Sequence, residues 1–151
     1  MKRTIAAAWL MTLVVTLALP VMASEQMKAI VASYLEIHAV LAADKIDGIK
    51  APAQAIATQA SAMGPGGAAI VKAAMAVERA RDLKAAREAF APLSEAVIAG
   101  AKAEGWNDLG DVKLAFCPMV KASWLQKGDK IRNPYYGSTM LECGEFKDRA
   151  K

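Results

Sequence analysis

The stretch LKAAREAFAPLSEAVIAGA, residues 83–101, predicts an amphipathic helix and so decides the fold class. Its apolar residues recur at alternating spacings of three and four, which places them on one face of a helix. Asp82 precedes the stretch and is expected to cap its first turn. Pro92 is expected to bend the helix, while Arg87 and Glu88 are expected to face water. The apolar face is formed by Leu83, Ala86, Phe90, Leu93, Val97 and Ala101.

Three further helical patterns precede this stretch. The first extends over residues 27–41, and the second follows Asp44, which is expected to be its N-cap. Pro52 is expected to kink the first turns of that second helix or to shift its start. The run MGPGG at 63–67 predicts a loop, because glycine and proline both disfavour a continuing helix, and a third helix is expected over 68–79. Four amphipathic helices with short connections predict an up-and-down four-helix bundle.

Beyond Gly110 the pattern is typical of a short strand followed by turns. Apolar residues alternate with others over 112–116, which predicts a half-buried strand. The rest of this C-terminal segment is rich in turn residues and too irregular for a helix. Its large apolar side chains provide the area needed to pack it on the helices, and they are Trp124, Ile131, Tyr135 and Tyr136.

The first 23 residues predict a cleavable signal peptide. A basic pair precedes an apolar run over 5–19, and that run is shorter than the ~20 residues that a membrane-spanning helix needs. Small residues at the −3 and −1 positions predict cleavage between Ala23 and Ser24. We therefore expect a single helical domain over 24–151, periplasmic and without stable membrane insertion after cleavage.

The charge of the chain and its histidine content exclude some function classes. The chain has 19 basic and 15 acidic residues, and loss of Lys2 and Arg3 with the signal peptide would lower the net charge from +4 to +2. So small a charge gives no reason to expect a nucleic-acid partner. With one histidine and no Ser/His/Asp grouping, the sequence predicts a protein that is not an enzyme.

The two cysteines have methionines close to them in the sequence. Cys117 is followed by Met119, and Cys143 is preceded by Met140. Thiolate and thioether sulfurs are soft donors that select Cu(I), while thiolates alone also accept zinc. These four side chains are therefore a predicted metal site. His38, on the apolar face of the first helix, is a further candidate ligand, or else a buried, hydrogen-bonded core residue.

A disulfide between Cys117 and Cys143 is the alternative to a metal site. Cysteine pairs in exported domains commonly oxidise. This bridge would close a loop of about 27 residues and stabilise the domain by about 3.5 kcal/mol on the chain-entropy estimate. The sequence leaves both interpretations open.

Four motifs of the C-terminal segment together resemble the signature of a bacterial domain family of unknown function. That family occurs alone in secreted proteins and fused to the periplasmic adaptor subunits of CusB-like heavy-metal efflux pumps. With upstream matches at 34–35, 43–44 and 87–94, the resemblance covers roughly residues 29–145. The motifs are FCPM at 116–119, WLQ at 124–126, IRNPYYG at 131–137 and MLECG at 140–144.

The resemblance implies a periplasmic role connected with copper or related metals, with heavy-metal efflux or copper-handling proteins as partners. The Cys-Pro-Met step is also similar to that of small heavy-metal-binding modules in which a histidine follows, whereas Val120 follows here. The leading hypothesis is a non-enzymatic periplasmic protein that binds or senses a soft metal, foremost Cu(I), or serves as an accessory of metal efflux. The alternative is a disulfide-stapled structural or interaction module without a metal. The ligands would be Cys117 and Cys143, assisted by Met119 or Met140 and shielded by Trp124, Tyr135 and Tyr136.

Overall fold

The computed structural model describes residues 18–106 and 109–149, with side chains from residue 24 onward. Most of the predicted signal peptide, residues 1–17, lies outside this range. The first helix, α1, extends over Ala18–Ala42 and so includes the predicted cleavage point. No helix within the described range has both the length and the apolar character needed to cross a membrane.

Helix α4, Leu83–Ala103, confirms the prediction made from its sequence pattern. The side chain of Asp82 accepts a hydrogen bond of 2.8 Å from the Ala85 backbone N–H, so the predicted N-cap is confirmed. Phe90 and Val97 are fully buried on the apolar face. Arg87 does not face water as expected, because its side chain is only 18% exposed and contacts the C-terminal segment.

Helices α2, Lys50–Ala62, and α3, Ala68–Arg79, are joined by a 3-10 turn over Gly64–Gly67. The predicted N-cap role of Asp44 is wrong, because α2 begins six residues later, after Ile49, which makes no side-chain cap. Pro52 lies in the first turn of α2, where its missing N–H costs no intrahelical hydrogen bond.

The helices pack on one another around a shared core. Helix α1 contacts α2 and α4, and α3 contacts both α2 and α4. The core includes the stacked rings of Tyr34 and Phe90, whose centroids are 4.9 Å apart. The mostly helical prediction is therefore confirmed.

The C-terminal segment forms a three-stranded antiparallel sheet rather than the single strand that the sequence predicts. The strands are β1, Lys113–Cys117, β2, Ala122–Gln126, and β3, Glu145–Lys147, in the order β2-β1-β3. Strand β2 packs against α4 and α1. Trp124 and Leu125 of this strand are fully buried, so the sheet closes one side of the helical core.

Candidate functional site

Strand pairing brings the two cysteines together. Cys117 is the last residue of β1, and its neighbour Phe116 pairs with Glu145 at the start of β3. Because the strands are antiparallel, continuing this register beyond Phe116 leads back along the chain from Glu145 toward Cys143. The Sγ atoms of Cys117 and Cys143 lie 2.7 Å apart, and both cysteines are free thiols in the structure.

Asn133 fixes the loop that carries Cys143. Its side-chain Nδ2 donates a 2.8 Å hydrogen bond to the Cys143 carbonyl, and its backbone N–H donates to the Leu141 carbonyl at 2.7 Å. The Oδ1 atom accepts from the backbone N–H groups of Tyr135 and Tyr136. Asn133 is fully buried, so one amide side chain and its backbone define the path from residue 133 to residue 143.

The two thiols differ in their electrostatic surroundings. Burial alone would raise the pKa of Cys117, but hydrogen bonds from the Cys143 thiol and the Val120 and Met119 backbone N–H groups favour the thiolate. The side chain of Asn133 contributes in the same direction, so the pKa of Cys117 lies below its ordinary value. The hydrogen bond to Cys117 raises the pKa of Cys143. When one of the two ionises, the structure therefore favours the thiolate on Cys117.

The predicted methionine ligands occupy different surroundings. Met119 lies on the turn after Cys117, and its side chain is 65% exposed. Met140 is partly buried, and its carbonyl accepts a hydrogen bond from the Cys143 backbone N–H. Within the described residues, no group of three or more His, Cys, Asp or Glu side chains is arranged to hold a metal ion. Of the predicted ligand set, Cys117 and Cys143 are in direct sulfur contact in the structure.

His38, the further candidate ligand, is buried at the junction between α1 and the C-terminal segment. Its Nε2 atom lies 2.8 Å from the Arg132 carbonyl oxygen. Burial lowers the pKa of His38 to about 4, so the neutral imidazole predominates at pH 7 and its Nε2–H donates this bond. The residue therefore has the role of a hydrogen-bonded core histidine, and Nε2 is committed to a carbonyl.

Trp124 and Tyr135, predicted to shield the site, are core residues. Trp124 is fully buried beneath the residue that follows Cys143, since a Cβ added at Gly144 would lie 2.8 Å from its ring. The Trp124 and Tyr135 rings meet edge to face at 6.0 Å. Tyr136 is only partly buried. Trp124 thus covers the inner side of the Cys143 loop, while Tyr135 packs toward the helices.

A buried hydrogen-bond network joins this aromatic cluster to the helices. The Tyr34 hydroxyl lies 2.6 Å from Ser94 Oγ and accepts a 3.2 Å hydrogen bond from the Leu125 backbone N–H. The Tyr135 hydroxyl hydrogen-bonds to Ser94 Oγ and to the Ser123 carbonyl. No buried side-chain polar atom in the described range lacks a partner. Side chains from α1 and α4 thereby fix the position of β2.

A salt bridge that the sequence reasoning missed attaches the segment at a second place. Arg87 donates to Asp44 Oδ1 at 2.6 Å and to the Pro134 carbonyl at 2.9 Å. Asp44 Oδ2 accepts from the Ser138 backbone N–H at 2.9 Å, and these contacts lower the pKa of Asp44 to about 2, that with Ser138 contributing most. Gly137 passes so close that an added Cβ would overlap both charged side chains. The sequence motifs at 43–44 and 87–94 contain Asp44 and Arg87, but their spacing in the chain does not show that these two residues form a salt bridge.

Comparisons with protein-family models, with curated proteins and with solved structures find no match for this chain. The resemblance to the efflux-associated family therefore stays a prediction.

Proposed function

We propose that this protein is an exported, non-enzymatic interaction module of the periplasm, in which a Cys117–Cys143 disulfide closes the C-terminal segment. The observation that carries the proposal is the 2.7 Å separation of the two Sγ atoms. A disulfide bond is about 2.05 Å long, so closing it requires only a small approach of the two sulfurs. The oxidising conditions outside the cytoplasm favour that step.

The scaffold in this proposal is the up-and-down four-helix bundle that the sequence predicts. Contacts between consecutive helices, and between α1 and α4, support that arrangement. The segment is held on the helices at its sheet, at His38 and at the Arg87–Asp44 pair. A disulfide adds a covalent closure between β1 and the end of the 133–143 loop, and so presents one fixed surface to a partner.

The test of this proposal compares the stability of three forms of the chain. Oxidised protein, reduced protein and the double variant Cys117→Ser/Cys143→Ser are unfolded in urea under the same conditions. We expect the oxidised form to be about 3.5 kcal/mol more stable than the reduced form, because a closed loop of about 27 residues restricts the unfolded chain. Addition of reductant should leave the double variant unchanged. Equal stability of oxidised and reduced wild-type protein would contradict the proposal.

A second candidate function is binding of a soft metal, Cu(I), by the reduced thiols. Two soft donors favour it. Met119 provides an exposed thioether two residues after Cys117, and the lowered pKa of Cys117 favours its thiolate. The sulfur separation of 2.7 Å disfavours it, because two sulfurs bound to one metal ion stand farther apart, as the geometry of zinc illustrates. Two thiolates on a tetrahedral zinc ion with bonds of about 2.3 Å stand about 3.8 Å apart, so the pair would have to open by about 1 Å.

The metal function is tested by titrating reduced protein with Cu(I) against a competing chelator. Binding that is lost in Cys117→Ser and in Cys143→Ser, and weakened in Met119→Ala, would support it. Met75→Ala is a matched control, because Met75 is another partly exposed methionine but lies on α3, away from the thiols in the chain. Binding that is unaffected by loss of either cysteine would reject the metal site and leave the disulfide proposal untouched.

A further inference from the structure

The two sulfurs of the pair are unequally accessible. Cys117 has 0% exposure, whereas Cys143 is partly exposed on the loop before β3. A reagent that cannot enter the core therefore meets the pair at Cys143. In a disulfide between the two, the same difference would decide which sulfur an external thiolate attacks.

We propose that Cys143 is a site of reversible mixed-disulfide formation with small thiols, and that Cys117 is the sulfur that leaves and later resolves the adduct. This inference rests on the proposed function, because it requires the Cys117–Cys143 disulfide. It adds a ligand class, a low-molecular-weight thiol, and a direction of attack that the disulfide alone does not specify.

The exchange is balanced without any further oxidant. A small thiolate attacks Cys143 Sγ, a new S–S bond forms between the two, and the Cys117–Cys143 bond breaks with its electron pair going to Cys117. The resolving step is the reverse, in which the Cys117 thiolate attacks Cys143 Sγ and expels the small thiolate. A second small thiolate that attacks the outer sulfur of the adduct instead would release Cys143 as a thiolate, with an external disulfide as the product.

The surroundings of Cys117 suit it to be the leaving sulfur. The backbone N–H groups of Met119 and Val120 and the side chain of Asn133 hydrogen-bond to its Sγ atom and stabilise negative charge there. A thiol with a lower pKa leaves more rapidly in thiol–disulfide exchange. Attack at Cys143 is thus favoured twice, by the accessibility of the attacked sulfur and by the stability of the thiolate it releases.

Resolution is favoured because the two sulfurs are held in position after the first bond breaks. Asn133 anchors the carbonyl of Cys143, and strand pairing in β1 fixes Cys117. The resolving thiolate therefore stays close to the adduct, which gives it a high effective concentration over a second external thiol. The mixed disulfide is expected to accumulate only when the small thiol is present in large excess.

The first experiment maps the adduct on the full exported chain. Its oxidised state is verified by a mass two hydrogens below that of the reduced protein. The protein is then incubated with reduced glutathione in large excess, and free thiols are blocked with N-ethylmaleimide before tryptic digestion. Lys121 and Lys127 lie between the cysteines, so cleavage separates the two peptides. We expect glutathione on the Cys143 peptide and maleimide on the Cys117 peptide.

Glutathione on Cys117, or equally on both cysteines, would overturn the exchange proposal while the disulfide itself stood. If the initial mass shows two free thiols in fully air-exposed protein, the proposed function fails, and the exchange proposal fails with it. The two failures are therefore distinguished before glutathione is added.

Single-cysteine variants provide the second measurement, which does not depend on the disulfide. Cys117→Ser keeps the accessible thiol and Cys143→Ser keeps the buried one. We expect the folded Cys117→Ser variant to react with a chromogenic aromatic disulfide about tenfold faster or more, because a buried thiol reacts only after local opening. In strong denaturant the rates should become equal, which excludes an intrinsic difference. Equal rates in the folded proteins, or faster reaction of Cys143→Ser, would contradict the assignment.

Discussion

Acid should destabilise this protein through His38 in a pH range set by the structure. His38 is only 5% exposed, and its pKa falls from 6.5 to about 4 because burial disfavours the imidazolium. The unfolded chain therefore binds the proton more tightly, so stability is lost as the pH falls from about 6.5 and the loss is complete below about 4. At 1.36 kcal/mol for each pKa unit, this difference corresponds to about 3 kcal/mol.

The assay is urea unfolding of wild-type protein and of His38→Gln at pH values from 7 to 4. Glutamine keeps an N–H donor that can reach the Arg132 carbonyl, but it does not titrate. We expect the wild-type free energy of unfolding to fall by about 3 kcal/mol more than that of the variant over this range. The other acidic groups are common to both proteins and cancel in the comparison. Parallel pH profiles for the two proteins would refute the assignment of a buried neutral His38.

Other contacts of the C-terminal segment give two further predictions. Tyr34→Phe should cost about 1–3 kcal/mol in urea unfolding, because it leaves the buried Leu125 N–H without its acceptor; a loss of less than 0.5 kcal/mol on the same scale would contradict this. Gly137→Ala should cost about 1.5–3 kcal/mol more than Gly128→Ala, because its Cβ would break the contacts of Asp44 with the segment. Both glycines have positive φ, and no atom lies within 4 Å of a Cβ at Gly128, so equal costs would exclude the Asp44 contribution.

The parts of the fold that the sequence predicts correctly depend on residues close in the chain. The apolar face of α4 repeats every three or four residues, and Asp82 caps a backbone N–H three residues away. Local spacing carries that information directly. The predicted start of α2 is too early, because Asp44 has the residue type of an N-cap. Its carboxylate instead contacts Arg87, 43 residues away, and Ser138, 94 residues away.

Local sequence patterns also fail to predict the three-stranded sheet. Strand β2 buries Trp124, Leu125 and Gln126 in succession, so it lacks the alternation that marks a half-buried strand. Strand β3 has only three residues, too few for any periodicity to be recognised. Strand β2 pairs with β1 as a hairpin across the turn at 118–121, but the pairing of β3 with β1 joins Phe116 to Glu145, and a pattern within one segment cannot report a contact so distant in the chain.

The sequence predicts which two cysteines form the candidate site, but it does not predict that one is buried and the other partly exposed. Residue type and the predicted compartment are enough to single out Cys117 and Cys143 as a pair. The burial of Cys117, the exposure of Cys143 and the anchoring role of Asn133 arise from the way the 133–143 loop folds back on β1. His38 was correctly placed on an inward face, but its hydrogen-bond partner lies 94 residues away.

The most direct measurement is the oxidation state of the chain as the cell produces it, in the exported fraction where we propose that it acts. Protein is recovered from the exported fraction, blocked at once with N-ethylmaleimide, and weighed before and after reduction, with Cys143→Ser as the control. We predict no maleimide on wild-type protein before reduction and two maleimides after reduction and renewed blocking. Two maleimides on the wild-type chain before any reduction, in folded protein, would contradict a Cys117–Cys143 disulfide.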